Sequence, residues 1–143
     1  MTRISAAILC LLILSPAARA SAEETHLLVI TGVSGDEEHA KKFHDLAVRF
    51  IEAAKKHDGV ADGNIVYLAE KPEADPQRIH APSTRENVSK AFAEIAGRAH
   101  PDDEIFVLLI GHGSFDSRGG MFNLPGPDLT ADDYAKLLAK WPT

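Results

Sequence analysis

The chain has 143 residues, of which 45% are hydrophobic, with 15 Lys and Arg against 21 Asp and Glu and a formal charge of −6. That acidic balance argues against nucleic acid and anionic membrane surfaces as partners. The length suits one domain with a modest core.

Residues 1–20 read as an export signal. Arg3 gives a short positive region and Ala6 to Leu14 an unbroken apolar run. Ser15-Pro16 breaks the run, and Ala18-Arg19-Ala20 supplies the small-x-small pattern of a cleavage site. The run is too short for a stable bilayer span, so a periplasmic or secreted protein with no membrane contact after cleavage is expected. The mature chain would start near Ser21 with about 123 residues, 13 basic and 21 acidic, at a formal charge of −8. Its only cysteine, Cys10, would leave with the signal. No disulfide or thiolate metal site is therefore expected, and no cofactor is expected either. Asn87-Val88-Ser89 fits a glycosylation sequon that is incidental in a bacterial-looking export context.

His26-Leu27-Leu28-Val29-Ile30-Thr31 is a short β-rich run closed by Gly32, a first strand. Asp36 is placed to cap a helix whose first turn holds Glu37 and Glu38, where the helix dipole favours them. Ala40, Phe43, Leu46, Ala47, Phe50, Ile51 and Ala54 then recur at helical spacing as one apolar face, ending near Gly59. Asn64 to Leu68 is a second strand, followed by a loop with Pro72, Pro76 and Pro82 too proline-rich for regular structure. Ser83 or Thr84 caps a helix buried through Val88, Phe92, Ile95 and Ala96. Glu104 to Ile110 is apolar on both faces, as a central strand of a covered parallel sheet should be. Met121 to Pro125 is a short hairpin arm, and Thr130 caps a last helix with Tyr134, Leu137 and Leu138 inward.

The order β-α-β-α-β-loop-α implies a parallel sheet with helices on both faces. Another strand is due after the last helix, so the sequence is expected to be a fragment whose three-strand sheet leaves an apolar edge exposed.

In such a sheet, function gathers at the carboxyl ends of the strands. His112 follows the third strand directly, and histidine serves as a general base or acid near neutral pH. Gly113 can turn sharply and offer its N–H as an oxyanion donor; plain turn packing of His112 is the competing reading. His39 lies near the same rim, while His39 and His44, five residues apart, do not share a helix face for chelation. His57, His80 and His100 read as solvated surface residues. Ser114 lacks the glycine spacing of a nucleophile elbow. Gly32-Val33-Ser34-Gly35 lacks the third glycine of a dinucleotide loop, with Glu38 in its place.

A strand ending in Ile110-Gly111-His112-Gly113-Ser114, then Phe122-Asn123-Leu124-Pro125 and Asp128-Leu129-Thr130 opening a helix, resembles the legumain branch of the caspase-type cysteine peptidases. Val29 to Gly35 is similar to that family's opening strand and glycine loop. The resemblance covers about residues 26 to 141 and implies a three-layer caspase-like α/β fold acting on a peptide or protein substrate. By it His112 is the catalytic histidine and Gly113 an oxyanion donor, with Gly32, His39 and Ser114 toward the substrate. The family's nucleophilic cysteine stands at the end of the next strand, beyond Thr143. Legumains also use an arginine in the early helix region for asparagine; here Glu37, Glu38 and His39 stand there, with no arginine before Arg49, so that specificity does not carry over. The alternatives are a non-catalytic peptide- or ligand-binding domain of the same fold and, through Leu109 to Ser114 with Asp116 and Arg118, a chelatase-like metal-binding domain.

Overall fold

The computed structural model describes residues 23–117 and 119–142. The expected export signal, Cys10 and Arg118 lie outside them. Among the described residues seven strands and three α-helices follow in the order β1 (Thr25–Thr31), α1 (Glu37–His57), β2 (Ile65–Ala69), β3 (Ala81–Pro82), α2 (Arg85–Arg98), β4 (Glu104–Ile110), β5 (Gly113–Asp116), β6 (Gly119–Phe122), β7 (Leu129–Thr130) and α3 (Ala131–Leu138).

The main sheet is parallel, in the order β3-β2-β1-β4, and β4 pairs with β1 along its whole length from Thr25↔Glu104 to Thr31↔Ile110. A second, antiparallel sheet runs β5-β6-β7. Strand alternation divides the core into two layers. Leu27 and Val29 of β1 pack with Ala47, Ile51 and Ala54 of α1, whereas Leu28 and Ile30 pack with Val88, Phe92 and Ile95 of α2 and Leu137 of α3. Each fully buried aliphatic side chain contributes about 1.5–3 kcal/mol. The result is three layers, with α1 on one face of the sheet and α2 and α3 on the other. Among the described residues no helix is long and apolar enough to cross a membrane.

The caps follow local chemistry. The Asp36 carboxylate accepts from the His39 N–H, and Thr84, rather than Ser83, accepts from the Asn87 N–H. Thr130 and Asp133 form a reciprocal capping box, and the N–H and O–H of Thr130 hold the Asp133 carboxyl below the ordinary range.

Five expectations need correction. The proline-rich loop is not wholly irregular: Pro72–Ala74 forms a 3-10 turn, and Ala81–Pro82 adds a fourth parallel strand against β2. Proline is tolerated there because β3 is an outer strand and its missing N–H costs no ladder bond. Strand β4 is an edge rather than a central strand among the described residues, with Phe106 52% and Leu109 39% exposed. The α1 stripe is narrower than its spacing implied. Phe43, Ala47, Ile51 and Ala54 are buried, while Leu46 and Phe50 fall on the flank of the helix and are exposed. Leu138 is likewise exposed, since one turn of α3 buries Leu137 in its place. The hairpin arm also begins earlier than expected, at Gly113, so that Ser114 lies within β5.

Candidate functional site

The rim at the carboxyl ends of β1 and β4 is built around the end of β6. A Cβ on Gly111 would meet the Phe122 ring at 2.9 Å, and one on Gly32 would meet the Asn123 carbonyl oxygen at 2.4 Å. Both positions therefore require glycine for close approach, and through them the Phe122-Asn123 step nests against both strand ends. Asn123 then ties the loops together. Its N–H donates to the His112 carbonyl at 3.0 Å, its own carbonyl accepts from the Val33 N–H at 3.0 Å, and its Oδ1 accepts from the Ser114 hydroxyl at 2.9 Å. The Gly32 N–H closes the set on the Ile110 carbonyl at 2.9 Å.

On this pinned backbone the His112 side chain is exposed and packs edge-on against two aromatic rings of α1. Its centroid lies 5.1 Å from His39 and 5.3 Å from Phe43. Among the described residues its ring has no hydrogen-bond partner, so both nitrogens are open to proton transfer. His39 is oriented instead of free. Its Nδ1 sits 2.9 Å from both Asp36 carboxylate oxygens, and its backbone N–H donates to the same group at 2.8 Å. A carboxylate only accepts, so Nδ1 carries the proton and Nε2 is the nitrogen left for other contacts. Those bonds, the backbone one foremost, hold the Asp36 carboxyl below its usual range.

Of the residues singled out from sequence, the fold brings His112 and His39 into ring contact across 73 positions of chain. Gly113 opens β5 opposite Phe122. Ser114 is exposed, but its hydroxyl is engaged by Asn123, not by a histidine, which leaves no base beside it for a serine nucleophile. Gly32 is buried as the close-packing position described above. Asn123 was not singled out, and nothing local marks it: its role follows from two backbone bonds to segments 90 and 11 residues away.

Of the remaining histidines His57 is exposed at the end of α1, as expected, and the others have structural partners. His80 exchanges bonds with Tyr67, its N–H donating to the Tyr67 carbonyl at 2.8 Å and its ring Nδ1 accepting from the Tyr67 N–H at 3.1 Å. His100 is exposed, as expected, yet it helps bind Asp103 at the opposite end of the sheet. The Asp103 side chain accepts from the backbone N–H groups of His100 and Glu24 and from buried His26 at 3.2 Å. Those backbone donors, before all else, hold its carboxyl far below the ordinary value. His44 is held by Tyr67 and Asp75. Among the described residues no three His, Cys, Asp or Glu side chains converge as a metal set would require.

Comparison with protein-family models, with curated proteins and with solved structures returned no match.

Proposed function

We propose that this chain carries the histidine half of a legumain/caspase-type cysteine peptidase site, on an exported domain with the caspase-like arrangement. The observation that supports this most is His112. It is exposed directly after β4, with unengaged ring nitrogens, and next to a strand edge that no described residue pairs.

In this reading a cysteine ends a further strand, parallel to β4 on its open edge. Its thiolate attacks the scissile carbonyl, and the Gly113 N–H donates to the oxyanion. His112 protonates the leaving amine as the carbon–nitrogen bond breaks, leaving a thioester. Water then adds to the thioester, giving its proton through His112 back to the departing thiolate, and the acid product leaves. His39 and Ser114 flank the substrate's path across the rim, over the buried Gly32.

The position of α3 favours such a strand. Helix α2 leads from β3 across β2 and β1 to β4 and lies on one face of the sheet; α3 packs on that same face. Right-handed crossovers demand one face for every step in one direction, so a chain leaving α3 for the far side of β4 would have to use the face α3 occupies. The exposed Phe106 and Leu109 on that edge favour coverage as well.

A second reading, a non-catalytic binding domain of the same fold, draws on a cavity of about 250 Å³ that shares the Phe43 wall with His112. The nucleotide sequence following the Thr143 codon separates the two. An in-frame, β-rich apolar run ending in cysteine is the expected result. A stop codon, or another residue at the cysteine position, overturns the peptidase reading and leaves the binding domain.

A further inference from the structure

The cavity behind Phe43 has its own chemistry. It lies between the first turns of α1, the carboxyl ends of β1 and β2, and the segment leaving β2. Phe43, Tyr67, Ala69 and Ile79 form buried apolar walls, with Ala40 and Ala74 nearer the opening. A volume of about 250 Å³ accepts a short aliphatic chain with a polar head.

Of the polar side chains that line it, the Glu70 carboxylate is the one that only accepts, while Lys41 and Lys71 stand at its mouth. Glu70, half-buried at the end of β2, is fixed by Ser34, which is itself only 6% exposed. The Ser34 N–H donates at 3.0 Å and the Ser34 hydroxyl at 2.7 Å, and both bonds land on Glu70 Oε2. Among the described residues Oε1 receives none. Deeper in, the fully buried Tyr67 hydroxyl lies 3.2 Å from His44 Nδ1, and His44 Nε2 lies 3.4 Å from an Asp75 oxygen. That carboxylate keeps the Nε2 proton in place, so Nδ1 accepts from the Tyr67 O–H. Burial pushes the Tyr67 phenol up, which keeps it neutral. The two cations at the mouth are exposed, and Lys41 is turned outward onto Asp45. The interior therefore offers a pre-oriented carboxylate oxygen and apolar walls.

We propose that this cavity binds an ammonium or guanidinium group carried on a short aliphatic stem, with Glu70 Oε1 as its principal acceptor. The stem lies along Phe43, Ala69 and Ile79, and the head makes a charge-assisted hydrogen bond to the carboxylate that Ser34 holds. The site requires neither His112 nor a cysteine, so it stands apart from the peptidase reading. The head could come from a free alkylamine or from a lysine or arginine side chain of a peptide; the chemistry is shared.

The test is a titration of the ¹⁵N-labelled chain with n-butylammonium chloride and N-acetyl-lysine methylamide, following the Ser34 and Glu70 amides by NMR. Butan-1-ol and sodium butyrate serve as controls. Saturable shifts with both amines and not with the controls are expected, and the ratio of the two affinities assigns the source. Glu70→Gln should weaken binding by at least about tenfold, the loss of a charge-assisted bond. Ala40→Leu, which fills the opening while leaving the carboxylate in place, should abolish binding and keeps the test valid should Glu70→Gln not fold. Absence of saturation, equal response to butan-1-ol or butyrate, or unchanged binding by a folded Glu70→Gln or Ala40→Leu overturns the proposal.

Discussion

Gly32→Ala tests the architecture of the rim. The added methyl would sit 2.4 Å from the Asn123 carbonyl oxygen, where contacts below 3.0 Å essentially never occur, so something must move by about 0.6 Å. Neither side is a flexible side-chain end. The obstacle is backbone, and the same Asn123 bonds Val33 and His112. Overpacking of this kind costs about 1–3 kcal/mol, which for a domain of this size lowers the melting temperature by about 4–12 °C. Gly97→Ala is the control. Gly97 lies inside α2 with open space around its Cβ position, so alanine there should stabilise by about 0.5–1 kcal/mol. Thermal unfolding by circular dichroism gives both values, and amide shifts of His112 and Val33 report where the strain goes. If Gly32→Ala melts within about 1 °C of the parent with His112 unmoved, the close-packing account of the rim is wrong.

Two further outcomes follow from buried contacts. Asp103→Asn removes the acceptor shared by Glu24, His26 and His100. Because the folded Asp103 carboxyl titrates below its unfolded value, its contribution is fully present above about pH 4 and is lost as pH falls through the lower, folded value. The gap in urea midpoint between parent and variant should be constant near neutrality and narrow only in strong acid; a gap that widens on acidification would contradict this sign. Phe92→Ala should cost about 3–5 kcal/mol, since Phe92 is 2% exposed and stacks on Trp141 at 4.9 Å. Trp141 is the sole tryptophan, and its Nε1–H donates to the Phe92 carbonyl at 3.1 Å. Its emission should therefore shift to the red in the folded variant, and an unshifted spectrum would remove that stack from the account.

The long elements were legible because burial writes itself as periodicity. Leu27 to Ile30, the Phe43-Ala47-Ile51-Ala54 stripe and the Val88-Phe92-Ile95 stripe carry the two core layers, and Asp36 and Thr130 announce their helices by cap chemistry. Composition could not say which neighbour a strand has. Glu104 to Ile110 is as apolar as a central strand, yet it borders only β1 among the described residues. The two-residue β3 was hidden because Ala81-Pro82 has no strand preference of its own and is held by register with Leu68 and Ala69. At the rim, the His-Gly-Ser step and the place of His39 were readable from topology alone. The clamp by Asn123 and the Ser34–Glu70 pair were not, because each joins segments tens of residues apart through a single bond or two.

The proposed role of His112 as the proton-transfer half of a cysteine peptidase is open to direct measurement. It is measured by the rate at which a peptidyl acyloxymethyl ketone labels the product of the source reading frame that contains this sequence, with and without His112→Ala. Covalent labelling at a single cysteine is expected, with a drop of about 10²-fold or more in the variant, as loss of a general acid–base group entails. No labelling of the parent, or labelling that His112→Ala leaves unchanged, would contradict it.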